Sequence, residues 1–199
     1  MLEKLSCNEQ AEDAVVLIHG YGASKEDLWD LRGLFPGCAA FSLQAPIALP
    51  WGGYSWFDID FTPFGSIYDE EGLEEAITCV QEFLGSVRAK YKRLMLFGFS
   101  QGSIISHAVY LRTPELIDGA ACLSGRYVES VFGSVEKGDV ANKPLFVSHG
   151  TEDVVVPFEN GEMIRDYYGP KAVFKEYRMG HEINPSCQGD VNSWFNSLA

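Results

Sequence analysis

Hydrophobic positions recur along this chain in two alternating rhythms. Short, mostly apolar runs stand at 15–18, 39–43, 94–97, 119–124 and 145–149. Runs of this length between turn residues read as strands buried on both faces. An alternating run at 172–177 predicts one more strand. Between them, apolar residues fall three and four apart. The clearest case is 70–89, where Leu73, Ala76, Ile77, Val80, Phe83, Leu84 and Val87 share one helix face. Residues 101–111 and 158–168 predict two further helices, ended by Thr113-Pro114 and Gly169-Pro170. Val191, Trp194, Phe195 and Leu198 give a last helix its apolar stripe. Ser24 with Asp27 three residues later looks like a capping box, and predicts a helix through Leu28, Leu31 and Phe35.

Alternation of this kind predicts an α/β fold, a mostly parallel sheet with helices on both faces. The sheet is expected to be small, because only one strong strand precedes the glycine turn His19-Gly20-Tyr21-Gly22. No repeat or linker divides the chain, which predicts a single domain over 1–199. One segment breaks the rhythm. Residues 45–68 show neither period, yet hold Trp51, Tyr54, Trp56, Phe57, Phe61, Phe64 and Tyr68. Long irregular segments inside compact domains are usually functional. Trp51, Tyr54, Trp56 and Phe64 are the expected apolar wall for a substrate. The stretch 126–142 is the other place for a small cap.

The candidate chemistry sits where strands end. Gly98-Phe99-Ser100-Gln101-Gly102 joins a predicted strand to a predicted helix. A serine on such a turn is a nucleophile elbow, held in a strained conformation by a backbone that needs glycine on either side. A hydroxyl needs a base, and the base needs an orienting carboxylate. Of the four histidines, His19 precedes Ser100 and His107 lies inside the helix just after it; of His149 and His181, only His181 leaves room for an acid between. That acid is Asp153, in the loop after the 145–149 strand, with Glu152 the competing choice. Backbone N–H groups of Tyr21 and Gln101 are expected to face the oxyanion, so their side chains are expected to tolerate conservative change. His19 reads as a structural residue that packs the glycine turn.

These strings in order resemble the phospholipase/carboxylesterase family. They are His19-Gly20-Tyr21-Gly22, Ser55-Trp56-Phe57-Asp58, the elbow, His149-Gly150-Thr151-Glu152-Asp153 with Val156-Pro157, and Gly180-His181. The resemblance implies an α/β-hydrolase fold and a serine hydrolase. Its expected substrates are small esters or thioesters of short to medium acyl chains, cleaved through an acyl-enzyme. Alanine at 23 and serine at 103 depart from common family residues and leave the substrate open. A dienelactone-type hydrolase or peptidase is an alternative, which Ser100 in place of cysteine disfavours. A non-catalytic ligand-binding protein is another, against which the complete serine, aspartate and histidine set stands.

Composition narrows the partners. A net charge of −13 argues against nucleic acid and against adsorption to anionic lipid. No apolar run approaches the ~20 residues of a membrane span, so stable insertion is not expected. Residues 1–10 lack the apolar core of a signal peptide. The five cysteines are scattered without metal-ligand spacing, and read as reduced thiols in a cytoplasmic protein. Neither a cofactor nor a metal is expected.

Overall fold

Strand β2 (Asp13–Ile18) is buried from Ala14 to Ile18, and the sheet is built outward from it. The computed structural model describes residues 2–62 and 65–198. Before β2 lies β1 (Lys4–Cys7), and after it β3 (Ala39–Leu43). Two small hairpins follow, β4 (Ile47–Ala48) with β5 (Tyr54–Ser55), and β6 (Ile59–Thr62) with β7 (Gly65–Tyr68). Regular alternation then sets in. It runs α1 (Glu70–Arg88), β8 (Arg93–Phe99), α2 (Gln101–Arg112), β9 (Gly119–Leu123), and a single turn of helix, α3 (Glu129–Phe132). It closes with β10 (Leu145–Gly150), α4 (Glu159–Tyr168), β11 (Val173–Tyr177) and α5 (Pro185–Asn196).

The main sheet has the order β1-β3-β2-β8-β9-β10-β11. Only β1 runs antiparallel, against β3. Side chains alternate between two buried layers, as the period of a strand requires. Ala14, Val16 and Ile18 join Leu73, Ile77 and Val80 of α1 on one face. Val15 and Leu17 join Phe35, Trp194 and Phe195 on the other. Both faces are covered, which is why the central strands read as unbroken apolar runs.

Four expectations change. Lys4–Cys7 is an edge strand that the hydrophobic pattern does not reveal, since none of its residues is fully buried. The 24–35 segment is not an α-helix but a turn followed by a 3₁₀ segment, Trp29–Leu34. There the Ser24 N–H donates to Asp27 Oδ2 at 2.8 Å, and Arg32 donates to the Trp29 carbonyl at 2.7 Å, taking an acceptor that an α-helix would use. The aromatic segment is not structureless but carries the two hairpins. The 126–142 stretch folds back on the core, with Val131 and Phe132 buried, instead of capping the strand ends.

Candidate active site

Ser100 is the residue on which β8 turns into α2. Its backbone lies at φ 56° and ψ −116°, a conformation that a residue with a β-carbon rarely adopts. The neighbours enforce it. A Cβ on Gly98 would come within 2.2 Å of the Gly102 carbonyl oxygen, and one on Gly102 within 1.9 Å of the Ile18 carbonyl oxygen. The two glycines let the turn press against the end of β2. The Ser100 N–H donates to the Leu123 carbonyl at 3.0 Å, and the Ser100 carbonyl accepts from Ser103 and Ile104.

Two loops at the same end of the sheet complete a hydrogen-bonded chain. His181, after β11, has Nε2 2.9 Å from Ser100 Oγ. Its Nδ1 lies 2.7 Å from Asp153 Oδ2. Asp153 is buried in the loop after β10, and its Oδ1 accepts from the N–H groups of Val155 and Val156 at 2.9 and 2.8 Å. Burial pushes the Asp153 carboxyl upward, but the His181 hydrogen bond, the two N–H groups and the His181 charge outweigh it. The net effect holds the carboxyl below its ordinary range, so it stands as a carboxylate. An anion on Nδ1 places the imidazole proton there and leaves Nε2 as an acceptor for the serine hydroxyl. Glu152 points away, exposed and paired with Arg178. His149 is buried, and its Nε2–H donates to the Val156 carbonyl at 2.8 Å, bracing the turn that holds Asp153. Burial lowers its pKa, keeping it neutral.

The turn after β2 lies against the elbow. A Cβ on Gly20 would touch Ser100 Cβ at 3.0 Å. His19 is buried, with Nδ1 2.7 Å from the Gly20 carbonyl, and Nε2 accepts from the Ala45 N–H at 3.1 Å. Burial lowers its pKa as well, so it is a neutral clamp on this turn. Tyr21 and Gln101 both line the cleft. The Gln101 side chain, expected to tolerate conservative change, is buried and hydrogen-bonded at both its oxygen and its nitrogen. Its Oε1 accepts from the Trp56 N–H at 3.1 Å, and its Nε2 donates to the Phe57 carbonyl at 2.8 Å.

The cleft beside Ser100 is a cavity of about 130 Å³. Phe57, Ile59, Tyr68, Ile104, Val155 and Val156 wall it, and among the described residues Arg126 is the one arginine or lysine that lines it. Three expected wall residues stand elsewhere. Trp51 is 72% exposed on the β4–β5 turn. Tyr54 is tied by backbone bonds to Gly22 and Ala23. Trp56 is buried behind the site, with its indole N–H donating to the His19 carbonyl at 2.9 Å. Phe64 lies outside the described residues. Val155 and Val156 were visible in sequence as apolar residues two and three positions after Asp153. A second cavity, of about 360 Å³, opens across His181 and is lined by Phe99, Ile183, Asp27 and Glu182 among others. A third groove, of about 330 Å³, lies on α1 around Cys79 and Phe83 and shares no residue with the site. Among the described residues no cluster of histidine, cysteine or acid side chains could hold a metal ion, and no helix is long and apolar enough to cross a membrane.

A serine hydroxyl, an imidazole and a buried carboxylate in series can open a carbonyl by nucleophilic attack. The family described as phospholipase/carboxylesterase matches residues 4–198. The carboxylesterase SOBER1 of Arabidopsis thaliana is 30% identical over 70% of this chain and 66% of its own length. An acyl-protein thioesterase 1 of Yarrowia lipolytica is 27% identical over 90% of this chain and 89% of its own. A crystal structure of a Bacillus cereus carboxylesterase superposes over 100% of this chain and 95% of its own with a TM-score of 0.85, at 16% identity.

Proposed function

The chain belongs to the phospholipase/carboxylesterase family of α/β-hydrolases and is a hydrolase, and we propose that it is a serine esterase acting on carboxylic esters or thioesters of short to medium acyl chains. The observation that carries this reading is the continuous series Ser100 Oγ, His181 Nε2, His181 Nδ1, Asp153 Oδ2, with links of 2.9 and 2.7 Å. In this reading Ser100 attacks the acyl carbonyl while His181 takes its proton. Asp153 holds the imidazole and stabilises the imidazolium. The backbone N–H groups of Tyr21 and Gln101 receive the oxyanion. His181 then protonates the leaving alcohol or thiol, and water repeats the sequence to free the acid. The apolar wall receives the acyl chain, and the small cavity favours short chains. Free thiols at all five cysteines support a cytoplasmic protein, and one domain spans 1–199.

The test is a fluorophosphonate label with a panel of p-nitrophenyl esters from acetate to palmitate and one acyl thioester. The label should sit on Ser100, and Ser100→Ala should lower kcat by roughly 10⁴ to 10⁶ with the fold intact. Labelling of another serine, with Ser100→Ala still active, would overturn the reading.

A further inference from the structure

The chain carries 28 acidic residues against 15 basic ones, so a guanidinium finds a carboxylate easily. Arg32, Arg88, Arg93, Arg112, Arg165 and Arg178 each do so. The remaining arginine does not. Among the described residues Arg126 has no ion-pair or hydrogen-bond partner. Its guanidinium faces the Tyr68 ring, 5.7 Å from the centroid. It is half-buried at the edge of the apolar cavity that holds Ser100. A cation at such a wall has given up part of its water without gaining a counter-charge.

Its position is also fixed. On one side the Ser124 N–H donates to the Ser148 carbonyl at 2.8 Å. On the other the Tyr127 N–H donates to Asn160 Oδ1 at 3.2 Å. Between them Gly125 presses on the elbow helix, where a Cβ would come within 2.4 Å of Ser103 Oγ. The loop that carries Arg126 is thus seated on the helix that begins at the candidate nucleophile.

The charges on the two sides of His181 differ in sign. Asp27 and Glu182 line the second cavity, and Arg126 lines the first. A leaving group takes its proton from His181, and on that side two carboxylates would repel an anion. An acyl tail lies beside Ser100, in a cavity whose described lining includes Arg126 and no carboxylate. Resting on the esterase reading above, we infer that Arg126 is an anion-binding specificity residue, and that the preferred substrates are esters whose acyl part ends in a carboxylate. These are half-esters of short dicarboxylic acids. The guanidinium fork matches a carboxylate with two parallel hydrogen bonds. Attack by Ser100 breaks the ester C–O bond and releases the alcohol, with the proton carried over by His181. Water then cleaves the acyl-enzyme, freeing the dicarboxylate and restoring the Ser100 hydroxyl.

The test compares two methyl esters by methanol release. One is monomethyl glutarate. The other is methyl 5-methylhexanoate, in which an uncharged isopropyl group replaces the carboxylate. Arg126→Gln should lower the kcat/KM ratio of the charged to the neutral ester by about tenfold to a hundredfold, chiefly through KM, and Arg126→Lys should restore part of it. An arginine that only braces Tyr68 would move both esters together, and an unchanged ratio overturns the inference. A short-chain lysophosphatidate carries its anion on the leaving group instead. If Arg126→Gln slows that ester and spares monomethyl glutarate, the acyl assignment is wrong. Calorimetry with free glutarate reads the same contact without turnover. Binding lost in Arg126→Gln supports the inference, and equal binding, or none by the parent, defeats it. If the parent cleaves neither ester, the esterase reading fails, and calorimetry still decides the role of Arg126.

Discussion

Replacing Gln101 by alanine separates the two halves of the site without touching the reacting groups. The side chain links the elbow to the aromatic segment through Trp56 N–H and the Phe57 carbonyl. All three residues are buried, so water cannot replace the lost partner. The consequences are unequal. The Phe57 carbonyl keeps a second donor, the Ser55 hydroxyl, at 2.5 Å. The Trp56 N–H keeps none, because Gln101 Oε1 is its one acceptor among the described residues. One orphaned buried donor costs about 1–3 kcal/mol, and one lost neutral bond about 1 kcal/mol more. Gln101→Ala should therefore cost about 2–4 kcal/mol in urea unfolding, with an unchanged m-value. Because Phe57 walls the cleft, kcat/KM should fall with it. A variant within about 0.5 kcal/mol of the parent would refute the ledger of hydrogen bonds. A destabilised variant with full activity would refute the claim that this side chain positions the cleft.

Two further outcomes follow from the same geometry. Asp153→Asn should cost on the order of 10³ to 10⁴ in kcat/KM, since the amide permits the wrong imidazole tautomer, whereas Glu152→Gln on the exposed Arg178 pair should cost little; steady-state kinetics that reversed this order would assign the carboxylate to Glu152. His107 is wholly buried beside Tyr168, and burial pulls its pKa down to about 3. Its unfolded value is ~6.5, so the unfolded chain binds the proton first and stability falls as pH drops from about 6.5 toward 3. The limiting slope is about 1.4 kcal/mol per pH unit for this one group. His107→Gln should flatten the dependence of the urea midpoint on pH between about 4 and 6, and an unchanged slope would show that other groups carry the acid sensitivity.

The elements most legible in the sequence were those with a long period or an unbroken run. The α1 face and the β8 and β10 strands lie within two residues of where their hydrophobic spacing puts them. The hydrogen-bonded proximity of Ser100, Asp153 and His181 was legible too, because each follows its own strand and parallel strands deliver their ends to one edge. Side-chain direction in the 45–68 segment was not. An irregular loop has no period to say which ring faces inward, so Trp56 looked like cleft wall and proved to be support for His19. Short β1 was hidden because an edge strand needs no apolar run. The role of the Gln101 amide was hidden because its partners, 45 and 44 residues away, are joined to it only by the fold.

The left-handed backbone at Ser100 has a consequence for descent. A β-carbon at φ 56° costs about 1–3 kcal/mol, which glycine would not incur. Ser100→Gly would remove the hydroxyl and relieve that strain in one step, and equilibrium unfolding beside Ser100→Ala measures the difference. In a duplicated copy freed from turnover, a change of Ser100 to glycine would thus be favoured by a firmer fold. If Ser100 is the nucleophile, what keeps a β-carbon at this turn is selection on the reaction, renewed in each generation against the preference of the backbone.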